Sequence, residues 1–439
     1  MLKRKVIDTL SAWKANPNRK PVILKGCRQC GKTFAAQRFA QEHYDNVVYI
    51  NFFENPGAKD IFAGPLDIDH IVMMASAYLG PSARFVPGQT VLILDEIQEC
   101  PQARTALKFF SLDGRYDVIG TGSLLGVAGY GSAPASVPVG YETVIDMHPL
   151  DFEEFCWANG VDESAIDMLR ACLRSEAPVH AALHSRMREL MLQYAVVGGM
   201  PDAVQSFVQH RDMTSVLQIQ RDIVRAYEDD MVKYAPAADK PLIRQCFRSI
   251  PRQLAKENKK FQYSLVKKGS TAARFAGSLQ WIEDAGITVR CRNLSITELP
   301  LDGNALEEQF KVYMADTGLF TSMLEDGTQF DILNGKLLTY KGAIFENLIA
   351  DVLSKMGRPL YYFRKDSGLE LDFVIRYKGA CTPVEVKARD GNAKSLKTVL
   401  NHPENYHVTQ AVKLADLNVG RSGPVLTLPL YMAFLLTER

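Results

Sequence analysis

Short apolar runs alternate with helical stretches over the first third of the chain. The runs at 21–25, 47–52, 91–95, 116–120 and 143–147 are apolar on successive residues. Strands covered on both faces read this way, so residues 1–150 are expected to form an α/β module around a parallel sheet. Beyond Pro149 the period lengthens. Asp151 followed by Glu154 has the spacing of a capping box, and Leu190, Tyr194 and Val197 recur at helical intervals. Val197-Gly198-Gly199-Met200-Pro201 then breaks the run, and residues 151–238 are expected to be an all-helical lid.

Residues 239–300 change the pattern again. The stretch 242–254 reads as a helix interrupted at Pro251. Ser270 and Thr271 offer hydroxyls to cap a second helix that runs through Leu279, Trp281 and Ile282 to Gly286. A strand at 289–292 follows, giving the order expected of a winged helix with Leu279, Trp281 and Ile282 as its core. In residues 301–439, Lys341 to Glu346 opens an apolar helix, and 370–375 is an alternating strand carrying Asp372. The strand that begins at Pro383 places Glu385 and Lys387 on one face, because strand side chains alternate with period two.

The first module carries recognisable chemistry. Gly26-Cys27-Arg28-Gln29-Cys30-Gly31-Lys32-Thr33 fits G-x-x-x-x-G-K-[ST] and follows the apolar run Val22-Ile23-Leu24. A loop of this kind between strand and helix cradles nucleotide phosphates with backbone N–H groups and the positive end of the helix. Lys32 would reach the β- and γ-phosphates, and the Thr33 hydroxyl would ligate Mg²⁺. Downstream, Val91-Leu92-Ile93-Leu94-Asp95-Glu96 ends a buried strand in two carboxylates. Asp95 suits the magnesium shell and Glu96 suits a general base for the attacking water. The 116–120 strand runs into Thr121-Gly122-Ser123, where Thr121 or Ser123 could touch the γ-phosphate or the lytic water. Arg221 and Arg225, one turn apart, read either as arginine fingers or as a solvated basic face.

Glu346, Asp372, Glu385 and Lys387 form a second constellation in the order E…D…E-x-K. Asp372 and Glu385 could share a divalent metal that activates water against a phosphodiester, with Glu346 shaping the metal shell and Lys387 stabilising charge. Surface ion pairs on a sheet would give the same residues. Cys27 and Cys30 form a C-x-x-C inside the phosphate loop. No second pair follows at zinc spacing, which leaves a redox switch or simply two small side chains.

Composition narrows the classes. At 439 residues, with 47% hydrophobic and 23% charged positions, this is a globular chain of about two to four domains. No run approaches a membrane span and Met1-Leu2-Lys3-Arg4-Lys5-Val6 lacks an apolar h-region, so no secretory signal is expected there, and eight scattered cysteines suit the reducing cytoplasm. A net charge of +1 argues against a uniformly basic nucleic-acid binder, yet 240–292 holds a local excess that includes Lys240, Arg244, Arg248, Arg252, Lys259, Lys267, Arg290 and Arg292.

The chain resembles the prokaryotic AAA-type ATPases that end in a winged helix and a restriction-endonuclease-like domain. The likeness is carried by G-C-R-Q-C-G-K-T, L-D-E-I-Q, G-T-G-S, P-L-D-F-E-E-F, V-G-G-M-P, F-K-V-Y-M-A-D-T-G-L-F, K-G-A-I-F-E-N, L-E-L-D-F-V-I and V-E-V-K-A, spread from residue 26 to residue 388. It implies a P-loop ATPase core (1–150), a helical lid (151–238), a winged helix (239–300) and a PD-(D/E)xK-type domain (301–439). The phosphate loop from Gly26 to Thr33, with Asp95, Glu96 and Ser123, would then bind ATP and Mg²⁺. Glu346, Asp372, Glu385 and Lys387 would occupy the nuclease motif, with a second divalent metal. Cys30 stands where a valine-like residue is common, and Thr121 or Ser123 where better-studied AAA proteins carry Asn. The leading expectation is an ATP-hydrolysing protein acting on DNA or RNA, with a homo-oligomer left open. The rival is an ATP-dependent switch or interaction protein whose nuclease-like domain is silent.

Overall fold

The computed structural model describes residues 2–123, 140–234, 239–256, 259–267, 271–336, 341–387 and 393–438. The Gly-, Ala-, Ser- and Pro-rich stretch after Ser123 lies outside them up to residue 139, as do Ser270 and Ala388. Two compact units are formed, one from Arg4–Pro149 and the other from Leu150–Lys233 with the described residues after it.

In the first unit, α1 (Lys5–Ala15) leads to β1 (Val22–Lys25), α2 (Lys32–His43), β2 (Asn46–Asn51), α3 (Ile68–Leu79), β3 (Thr90–Asp95), α4 (Pro101–Asp113), β4 (Asp117–Gly122) and β5 (Thr143–Asp146). The sheet order is β2-β3-β4-β1-β5, with every pairing parallel. Each strand read from the apolar runs is present. All six residues of β3 are buried, and each fully buried aliphatic side chain there contributes about 1.5–3 kcal/mol. Ile71 and Ala75 of α3 and Leu107 and Phe110 of α4 join Val48, Ile50, Leu92 and Leu94 in one core. β5 departs from the expectation of strands covered on both faces. Its Thr143 and Val144 are exposed because β5 is an edge strand, paired only to β1.

The second unit begins with helices α5 (Phe152–Ala158), α6 (Glu163–Ser175), α7 (Ala181–Val197), α8 (Pro201–His210) and α9 (Met213–Tyr234). Asp151 closes the capping box, accepting from the Glu154 N–H at 2.8 Å while the Glu154 carboxylate accepts from the Asp151 N–H at 3.1 Å. Next come α10 (Lys240–Leu254), α11 (Tyr263–Val266), α12 (Ala272–Asp284), β6 (Thr288–Leu294), β7 (Ala305–Met314), α13 (Thr317–Ser322), α14 (Thr328–Leu333) and α15 (Lys341–Lys355). Strands β8 (Leu360–Arg364), β9 (Glu370–Tyr377), β10 (Ala380–Lys387), β11 (Ala411–Ala415), β12 (Gly420–Ser422) and β13 (Val425–Pro429) follow.

Three local expectations are refined here. α10 is not interrupted at Pro251 but continues to Leu254, one turn beyond the proline. Thr271 precedes α12 without making a side-chain cap bond. The strand at 289–292 is β6, which pairs antiparallel with β7 and parallel with β8 inside a sheet of order β12-β13-β11-β10-β9-β8-β6-β7. A boundary at residue 300 therefore runs between paired strands. Leu279, Trp281 and Ile282 are buried, as read.

A buried polar node explains V-G-G-M-P. Asp316, ahead of α13, accepts from the Gly199 N–H at 2.6 Å and caps α13 through the Leu319 N–H at 3.0 Å. Lys355 Nζ lies 2.7 Å from Asp351 and 3.5 Å from Asp316, and it donates to the Tyr194 hydroxyl at 2.9 Å. Tyr194 donates in turn to the Leu150 carbonyl at 2.8 Å. A Cβ on Gly199 would sit 2.0 Å from that same carbonyl oxygen, so the backbones meet there only through glycine.

Candidate functional site

The phosphate loop lies between the end of β1 and α2. At its first residue a Cβ would fall 2.0 Å from the Met147 carbonyl oxygen, which restricts position 26 to glycine. Lys32 is buried, and its ammonium donates to the carbonyls of Gly26 (3.0 Å) and Cys27 (2.8 Å). Thr33, in the first turn of α2, donates its hydroxyl to both Asp95 oxygens at 2.9 and 3.1 Å. That contact joins the loop to the end of β3.

Asp95 is 2% exposed, and a buried carboxylate is tolerated only when its oxygens are satisfied. Besides Thr33, it accepts from the Tyr49 hydroxyl (2.8 Å), the Asn51 amide (3.1 Å) and the Thr121 hydroxyl. Glu96 follows with φ +53°, a left-handed conformation uncommon for glutamate. Its carboxylate accepts from the Gln98 amide and faces the Ser123 hydroxyl at 3.5 Å. Arg28, Thr33, Tyr49, Asn51, Asp95, Glu96, Gln98 and Ser123 line a cavity of about 350 Å³. Of the two sensor candidates, Thr121 is committed to Asp95 and Ser123 reaches the cavity.

Gln29 and Gly31 take left-handed φ angles of +65° and +94° that shape the loop. Cys27 and Cys30 are buried and form no disulfide with each other. A hydrogen bond with Cys27 pulls the Cys30 thiol down to about 6 against its burial, helped by the charges of Lys32 and Arg4. Among the described residues no group of three His, Cys, Asp or Glu side chains is placed to hold a metal ion.

The second constellation does come together, around β7, β9, β10 and α15. Glu346 is 2% exposed and fully occupied: it accepts from Lys311 Nζ at 2.8 Å, from Lys259 Nζ and from the Tyr313 hydroxyl. Burial would raise this carboxyl, but the ammonium groups of Lys311 and Lys259 hold it at about 2. Asp372 accepts from the Val386 N–H at 2.8 Å. Burial, then repulsion from Glu346 and Glu385, pushes it up to about 7. Lys387 Nζ lies 2.6 Å from Glu385 Oε1, while the buried Glu385 Oε2 has no hydrogen-bond partner among the described residues. Asp372 and Glu385 thus fit a metal-holding pair, and Glu346 as it stands does not.

Comparison with known protein families places the first constellation. Residues 18–156 match the AAA domain. Over those residues the amino-terminal unit is similar to an AAA-type P-loop domain. Behind that match, residues 188–329 and 341–431 match two domains of unknown function, DUF8612 and DUF4143. No curated protein matches the chain. Among solved structures, the chain is similar to the Walker-type ATPase PABY2304 of Pyrococcus abyssi, with 14% identity and a TM-score of 0.43 over 74% of this chain and 96% of that one. It is also similar to the Thermotoga maritima RuvB Holliday junction branch migration motor (14%, 0.29, 66% and 90%) and to AMPPCP-bound DnaA from Aquifex aeolicus (11%, 0.27, 63% and 86%).

Several residues of both sites were not singled out from sequence. Tyr49 and Asn51 alternate with Val48 and Ile50 along β2, and Lys311 and Tyr313 alternate along β7. In each case a polar period of two at the end of an apolar strand was the available signal. Lys259 had none beyond its charge. Removing one of four donors to Asp95, as in Tyr49→Phe, should cost about 1 kcal/mol. The expected outcome is a several-fold rise in the Mg²⁺ concentration needed for half-maximal ATP turnover, with a melting temperature lowered by about 2–4 °C.

The basic stretch is less free than its composition suggests. Arg244 and Arg248 both pair with Glu228, Arg290 with Glu283 and Arg292 with Glu307. Arg221 pairs with Asp326 and Arg225 with Asp222, so either would have to leave a carboxylate to serve as a finger. Among the described residues no helix is long and apolar enough to cross a membrane.

Proposed function

We propose that the protein binds ATP with Mg²⁺ at the AAA domain, hydrolyses it, and couples that cycle to nucleic acid handled by the second unit. The observation that carries this reading is the direct Thr33–Asp95 hydrogen bond at the mouth of a cavity that also exposes Glu96. Thr33 and Asp95 are the groups that would hold magnesium, which when bound neutralises charge on the β- and γ-phosphate oxygens. Lys32 would exchange its two loop carbonyls for phosphate oxygens. Glu96, oriented by Gln98, would take the proton from the attacking water, with Ser123 beside it. Gly26 to Gly31 would line the phosphates with backbone N–H groups.

In the second unit, Asp372 and Glu385 are the pair that would hold a divalent cation, whose Lewis acidity serves phosphodiester cleavage. Lys387 steadies Glu385. The described helices α10 to α12 supply the candidate nucleic-acid surface, and the pairing of many of its arginines predicts modest, salt-sensitive affinity. A second reading, a nucleotide-dependent switch with a silent nuclease-like domain, draws on one observation: Glu346 is already neutralised by two lysines.

The test is ATP turnover with and without DNA or RNA, together with strand cleavage in Mg²⁺ or Mn²⁺. Glu96→Gln should bind ATP yet lose about 10²–10⁴-fold in turnover. Asp372→Ala should abolish cleavage and leave turnover in place. Cleavage that survives Asp372→Ala contradicts the metal-site reading, and turnover that survives Glu96→Gln contradicts the base.

A further inference from the structure

The two lysines on Glu346 are held very differently. Lys311 is central on β7, its side chain is 1% exposed, and it bridges Glu346 at 2.8 Å and Glu370 at 2.7 Å. Lys259 lies in coil between α10 and α11, its side chain is 19% exposed, and the one carboxylate recorded with it is Glu346. Its position is set two residues later, where the Phe261 N–H donates to the Phe310 carbonyl at 2.8 Å and the two rings stack at 5.9 Å. The lysine is therefore delivered to the cluster from a position anchored beside Lys311, and among the described residues its ion pair is with Glu346.

In the same cluster, the buried Glu385 Oε2 lacks a hydrogen-bond partner among the described residues. A buried carboxylate oxygen without a donor is costly, and a cation is the group that would satisfy it. The cluster thus shows an unfilled acceptor on Glu385 and a displaceable ammonium on Glu346.

We propose that Lys259 is a built-in counter-cation of this cluster, which a divalent metal ion displaces from Glu346 when it binds at Asp372 and Glu385. The inference rests on the reading of those two carboxylates as the metal-holding pair. Without Lys259, the repulsion of a unit positive charge against the incoming ion disappears. At the effective dielectric of a protein interior, a unit charge that close changes affinity many-fold. Lys311 remains, so the Glu346 carboxylate stays paired and the fold is retained.

The experiment is Mn²⁺ binding to the full-length, nucleotide-free protein, followed by calorimetry and electron paramagnetic resonance, with the Glu385→Gln-sensitive component taken as this site. Lys259→Gln should bind Mn²⁺ at least tenfold more tightly than wild type there. Lys259→Arg and the nearby exposed Lys256→Gln should match wild type, and melting curves check that each variant is folded. A second readout needs no variant: saturating Mn²⁺ should raise labelling of Lys259 by an amine reagent, scored by peptide mass, and Glu385→Gln should remove the rise. Affinity of Lys259→Gln within twofold of wild type, an equal gain in Lys256→Gln, or Mn²⁺-bound protein with unchanged labelling would overturn the inference and leave the metal pair standing. No Glu385-dependent Mn²⁺ in either wild type or Lys259→Gln would overturn the metal pair itself, and this inference with it.

Discussion

Lys32→Ala is expected to abolish ATP turnover, with a loss of at least about a hundredfold, because no other group can replace an ammonium at that place. Lys32 is buried at the start of α2, and the two carbonyls that hold it belong to the loop that would wrap the phosphates. Alanine removes the ammonium that would meet the β- and γ-phosphates and keeps the helix, since alanine is the best helix former. Thr33 and Asp95 still meet, so the melting temperature should stay near that of wild type. Loss of turnover without loss of fold is the signature of a phosphate ligand. A parallel collapse of the fold would instead mark Lys32 as a structural residue satisfied by its loop carbonyls.

Asp316→Ala is expected to be the most destabilising single change outside the hydrophobic cores. It removes the α13 cap, the acceptor for the buried Gly199 N–H and one of the two carboxylates near Lys355. Breaking a buried charged network by deleting one partner costs about 3–5 kcal/mol. Lys355 is left with Asp351, whose carboxyl is itself pushed up to about 6 by burial in spite of that lysine. For a unit of this size the midpoint of thermal unfolding should fall by about 5–8 °C. Asp316→Asn keeps one acceptor oxygen and should lose less. The amino-terminal unit, which does not contain this node, should keep its own ATP affinity, and calorimetric melting resolves the two.

Much of the amino-terminal unit was legible because its signals are local. Buried parallel strands read as unbroken apolar runs, and the glycine pattern between β1 and α2 is contiguous in sequence. The donors on Asp95 were less legible, since Tyr49 and Asn51 arrive from a neighbouring strand and Thr121 reads as a contact to the γ-phosphate or lytic water. In the second unit, E…D…E-x-K drew attention to four residues that the fold does assemble. Nothing local showed that Lys259 and Lys311 would fill the Glu346 side of that cluster, because ion pairs 87 and 35 residues apart are set by strand order. The strand at 289–292 was visible, but its place was not. Period-two patterning fixes which face of a strand is buried and leaves its neighbours undetermined.

The central claim is that the loop from Gly26 to Thr33, with Asp95, grips the triphosphate of ATP. Titration calorimetry of full-length protein with an unhydrolysable ATP analogue and Mg²⁺ tests it most directly. One saturable site per chain, lost in Lys32→Ala and weakened when Mg²⁺ is withheld, is the predicted result. Absence of any binding heat with folded wild-type protein, across temperatures at which the enthalpy cannot vanish throughout, would contradict the account.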